Sequence, residues 1–99
     1  MLSINKTVED KKAVLSPEGR LDTITAPELE SVIKETVPGI EELVLDFKNL
    51  EYISSAGLRV LLSAQKVMNT QGTMKLCNVN ETSMEIFDVT GFMDILTIE

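Results

Sequence analysis

Ser54 and Ser55, in the stretch YISSAGLRVLL, stand where an apolar segment gives way to a helical periodicity. Three kinds of chemistry suit hydroxyls at such a junction. They can accept hydrogen bonds from the free N–H groups of a helix's first turn, where serine is among the favoured residues. One of them can act as a nucleophile. Either can be a place where another protein writes a phosphate.

The nucleophilic reading lacks its partners. A serine hydroxyl is weak until a base takes its proton, and the chain contains no histidine. A Ser-x-x-Lys arrangement fails because Leu58 follows Ser55 at that spacing, and Ile53 occupies the first glycine position of a nucleophile elbow. Neither phosphate-loop nor dinucleotide glycine patterns occur. Of the carboxylates, Asp22 and Asp46 fall near predicted strand ends. One cysteine, Cys77, and no histidine leave no plausible zinc ligand set. Cys77 itself, in the alternating stretch MKLCNV, reads as a small buried hydrophobe. No enzyme, metal or cofactor is expected. Phosphate acceptance survives this test, since a phosphate at a helix start meets free N–H groups and the positive end of the dipole.

Composition narrows the setting. Ninety-nine residues suit one domain, 1–99, and 43% hydrophobic with 25% charged residues suit a packed core. Acidic residues outnumber basic ones 16 to 9, a field that repels nucleic-acid backbones. No apolar run reaches the roughly 20 residues that span a bilayer. The first residues lack the basic-then-apolar order of a signal peptide. A cytoplasmic protein without membrane insertion is the expectation.

The elements that must position the serines follow from periodicity. LSINKTVED and KKAVLSPEGRL read as a strand hairpin, with Pro17 and Gly19 marking a bulge or an edge. TAPELESVIKETV reads as a helix: Thr25 and Glu28 have capping-box spacing, and Leu29, Val32, Ile33 and Val37 share a face. ELVLDF suits a central strand, and KNLEY connects it to the serines. A second helix carries Leu58, Leu61, Leu62, Gln65 and Met68 inward, with Gly72 as its stop. TMKLCNV returns to strand character. Asn80 caps a third helix with Met84, Phe87 and Val89 facing in, Gly91 breaks it, and DILTI forms a last strand or extended tail. The fold class is α/β: a mixed four- to five-stranded sheet with an antiparallel edge hairpin, packed by about three helices.

LVLDFKNLEYISSAGLRVLL resembles the signature of STAS domains, in particular the small bacterial anti-sigma factor antagonists. EGRLDTITAPEL and IFDVTGFMDILTI resemble that family's second strand with first helix and its carboxy-terminal segment. The resemblance implies a STAS-like fold and a partner-switching regulator of transcription. Such a protein binds an anti-sigma factor when unphosphorylated. It is released when that factor, or a related serine kinase, phosphorylates a serine, and a serine phosphatase resets it. The acceptor position falls on Ser55, with Ser54 as the alternative because it stands where the family commonly has Asp. Ala56 replaces the usual second Ser or Thr. Asp22 matches an acidic residue near the acceptor, and the implied partner surface comprises Asp22, Thr23, Ser54, Ser55, Ala56, Gly57 and Arg59. The family also implies an alternative: an unphosphorylated STAS scaffold subunit of a transporter or sensory complex.

Overall fold

A computed structural model describes residues 2–99. In chain order they form β1 (Leu2–Glu9), β2 (Lys12–Leu21), α1 (Ala26–Thr36), β3 (Glu42–Asp46), β4 (Leu50–Ile53), α2 (Ser55–Asn69), β5 (Thr73–Cys77) and α3 (Glu81–Thr90), followed by a 3-10 turn at Phe92–Asp94. The opening hairpin turns on Asp10-Lys11, where Asp10 takes the positive φ of 55° that tight hairpins require. Its register runs from Leu2 opposite Gly19 to Glu9 opposite Lys12.

β2 organises the sheet. One edge pairs antiparallel with β1, and the other pairs parallel with two strands in succession. β3 takes Lys12 to Leu15, and β4 takes Gly19 to Leu21, with a register shift between Gly19 and Arg20. Pro17 falls in the gap between these partners, where the missing N–H breaks neither parallel ladder. The bulge reading of Pro17 and Gly19 therefore holds and the edge reading does not. β5 completes the sheet beside β3.

One expectation about elements is corrected and one is narrowed. KNLEY is not a mere connection, because Leu50–Ile53 is a strand. Of the two readings of DILTI the strand fails and the tail remains: Asp94 closes the 3-10 turn, and after it only Ile98 bridges, opposite Leu76.

One face of the sheet packs against the helices. Leu15, Leu43, Leu45, Met74 and Leu76 alternate inward, as strand period dictates, and meet Leu29, Leu58, Leu61, Met68 and Phe87 in one core. On the opposite face Lys75 pairs with Glu42 and Glu99, each at 3.6 Å. There the Arg20 guanidinium also stacks over the Tyr52 ring, 4.5 Å from its centroid.

The third helix begins as expected, with the Asn80 side chain accepting from the Ser83 N–H at 2.8 Å. It ends at Gly91 in the left-handed conformation, φ 80°. Phe87 is fully buried, whereas Val89 points to solvent, contrary to expectation. Two residues along a helix is about 200° of rotation, so Val89 lies on the far side from Phe87. Leu62 is likewise only half-buried, while Val60 and Ala64 are buried in its stead.

Candidate functional site

Parallel pairing of β2 with β4 ends at Leu21 opposite Ile53. Both chains leave the sheet at the same end, the C-terminal end of parallel strands, where α/β folds place their functional loops. The Ser54 N–H donates to the Leu21 carbonyl at 2.8 Å, so the segment Asp22–Thr25 and the two serines emerge side by side.

Gly57 makes this juxtaposition possible. A Cβ there would stand 2.7 Å from Leu21 Cγ and 2.9 Å from Ile53 Cγ1, both on buried residues. The first turn of α2 therefore lies directly on the ends of β2 and β4. Helix propensity favours Ala over Gly by about 1 kcal/mol. Overpacking should nevertheless dominate, and Gly57→Ala is expected to destabilise the fold by about 1–3 kcal/mol. A denaturation midpoint at or above that of the wild type would contradict the close approach.

The serines differ sharply. Ser54 takes the N-cap position with extended backbone, and its carbonyl accepts from the Leu58 N–H at 3.0 Å. Its hydroxyl caps nothing. Ser54 Oγ is buried and has no hydrogen-bond partner among the described residues. Ser55 is the first residue of α2, and it is exposed. The expected serine cap is thus absent: Ser54 has the right backbone but its side chain is turned inward.

The loop before α1 is held by different bonds from those expected. Thr25 makes no capping bond to its helix. Instead its hydroxyl donates to the Arg20 carbonyl at 2.7 Å and accepts from the Asp22 N–H at 2.9 Å. Asp22 Oδ1 accepts from the N–H groups of Ile24 and Thr25, each at 3.0 Å. These bonds, the Thr25 backbone N–H foremost, hold the Asp22 carboxyl below the usual aspartate range. Asp22 therefore shapes the loop beside the serines in addition to lying near them.

A depressed folded-state pKa stabilises the loop above the ordinary aspartate pKa, and that stability is lost as pH falls through the folded value. The Asp22 carboxyl should accordingly titrate below free aspartate in an NMR titration, with the Ile24 and Thr25 amide signals moving at the same midpoint. Titration at the ordinary value would contradict the hydrogen-bonded loop.

Thr23, Ala56 and Arg59 come together around a shallow groove completed by Ala26, Pro27, Glu30 and Val60. The structure thus gathers the expected partner residues at one end of the sheet, with Gly57 beneath the surface as support. Pro27 and Glu30 line the same groove. Ile24, in the loop before α1, is exposed, and its position between a strand and a helix pattern was the only signal of that. Cys77 lies at the end of β5, half-covered and not fully buried as expected. Desolvation, with Asp46 and Glu99 nearby, pushes its pKa up and keeps the thiol protonated. Among the described residues no three His, Cys, Asp or Glu side chains gather where they could hold a metal ion. No helix among them is long and apolar enough to cross a membrane.

A mixed sheet with these helices, and a serine-bearing helix start beside an Asp-anchored loop, defines the class. Residues 3–99 match the STAS domain family, and the chain belongs to it. It is 37% identical over 83 residues to a Bordetella bronchiseptica protein named "Putative anti-sigma factor antagonist BtrV", across 82% of this chain and 72% of the relative. It is 27% identical to the anti-sigma-B factor antagonist of Staphylococcus aureus, across 98% of this chain and 92% of that one. The crystal structure of an anti-sigma factor antagonist from Mycobacterium paratuberculosis superposes with a TM-score of 0.90 at 22% identity, covering 99% of this chain and 85% of that one.

Proposed function

We propose that this chain is an anti-sigma factor antagonist: it binds an anti-sigma factor while Ser55 is free and releases it when Ser55 carries a phosphate. Its similarity to proteins named as such antagonists supports the general role. The observation that carries the switch is the contrast between the serines, an exposed Ser55 hydroxyl beside a buried Ser54 Oγ. A kinase needs the acceptor oxygen within its own active site, and only Ser55 offers that without local unfolding. A serine phosphatase reaches the same oxygen by the same route.

The test is phosphosite mapping. The protein is incubated with ATP and the ATP-binding anti-sigma factor of its own organism, then digested and read by mass spectrometry. Phosphate is expected on Ser55. Phosphate on Ser54 would move the switch to the alternative acceptor. Stable binding with no phosphate on either would favour the unmodified scaffold role.

A further inference from the structure

We propose that Ile24 is the apolar anchor by which this chain seats itself in its protein partner. The proposal rests on the antagonist reading above and names the chemistry of that interface. Ile24 is 84% exposed, although burying an isoleucine side chain is normally favourable. Exposure alone is ordinary for a soluble protein. What distinguishes Ile24 is the loop that presents it.

That loop is not slack. Its own N–H is bound by Asp22 Oδ1 at 3.0 Å, the next N–H is bound by the same oxygen, and Thr25 ties the loop to Arg20. The backbone is therefore fixed before any partner arrives, and little ordering entropy is left to lose on binding. A few fully desolvated anchors dominate interface energies, and a preorganised backbone beneath an anchor lowers the cost of binding. Val89, 86% exposed in the last turn of α3, lines a shallow depression with Glu85, Ile86 and Thr90 of its own helix and has no such loop to hold it.

The location selects the occupant. Asp22, two residues before Ile24, follows the Leu21 carbonyl that accepts the Ser54 N–H, so the anchor and the exposed Ser55 leave the same strand ends. The partner that senses Ser55 is thus the partner that covers Ile24. Its matching surface is an apolar pocket, dry once occupied. A dianion introduced beside a dry pocket must lose water or hold the surfaces apart, which links anchor to switch.

The experiment measures binding of the unphosphorylated protein to its organism's purified anti-sigma factor by calorimetry. Ile24→Ala is expected to weaken affinity at least tenfold, and Ile24→Glu to abolish binding. Ile24→Val should retain affinity within threefold, and Val89→Ala should leave it unchanged. Amide signals of Asp22 and Thr25 that stay in place in Ile24→Ala would show that the loop is intact. Wild-type binding with Ile24→Ala within threefold of it would overturn the anchor and leave the antagonist reading standing. Absence of wild-type binding would overturn both. A concentration-dependent dimer of the protein alone, lost in Ile24→Ala, would assign the residue to a second copy of this chain and overturn the proposed occupant.

Discussion

Ser55→Asp is expected to lose at least 100-fold in affinity for the anti-sigma factor while keeping its unfolding midpoint. A phosphate adds about −1.5 to −2 charge and three acceptor oxygens, and aspartate reproduces part of that charge. Within the protein the helix start favours the charge, and the Asp22 carboxylate in the neighbouring loop opposes it. Ser55 opens a helix of 15 residues with no acidic side chain in its first turn, and Arg59 stands one turn further on. Negative charge at such an end is favourable by about 0.3–1 kcal/mol when exposed. The loss of binding must therefore arise at the interface, where the charge is desolvated or meets acidic groups. A 100-fold change needs only about 2.8 kcal/mol. Ser55→Ala should bind well and resist being switched off. Ser54→Ala should keep the regulation and cost little stability, because the hydroxyl it removes is buried without a partner. Calorimetry showing Ser55→Asp within threefold of wild type would sink the switch at this position.

Most of the architecture was legible because local patterns carried it. The hairpin, α1, β3, α2, β5 and α3 each announce themselves by period, turn or cap. β4 was not legible, since Leu50–Ile53 is four residues long and owes its strand state to pairing with Gly19–Leu21 of β2, across the bulge. No local window contains that pairing. The Thr25-to-Glu28 spacing misled for a related reason: Asp22 and Arg20 compete for Thr25 from the preceding strand end. Aspartate three residues before threonine was the available sign of that loop.

The site was legible only in part. Motif similarity placed the serines, the Asp22 loop and Arg59 in one neighbourhood. Which serine faces solvent depends on how α2 rests on Leu21 and Ile53 through Gly57, a three-dimensional contact without a sequence period. Ile24 escaped notice because exposed and buried isoleucines look alike in a chain.

The same geometry decides which leucine of α2 matters, and Leu61→Ala is expected to destabilise the protein by about 2–5 kcal/mol. At 100° per residue, the buried residues Gly57, Leu58, Val60, Leu61, Ala64, Gln65 and Met68 form one stripe. Met68 and Leu61 lie near its centre, and both are fully buried. Leu62 lies roughly 120° around the helix from Met68, beyond the stripe's margin. Packing of α1 against α2 accounts for the displacement: with Ile33 and Val37 it lines a groove along Val60 and Ala64, drawing the buried face toward that side. Removing Leu61 leaves a cavity among the sheet residues that cannot collapse freely, whereas water already reaches Leu62. The expected cost of Leu62→Ala is about 1 kcal/mol or less. Against a total stability of about 5–15 kcal/mol, the first substitution removes a large share and the second a small one. For a domain of this size each kcal/mol moves the thermal midpoint by roughly 4–8 °C, so the two variants should separate clearly in a melting experiment. Equal shifts, or a larger one for Leu62→Ala, would show that α2 is rotated from the position described.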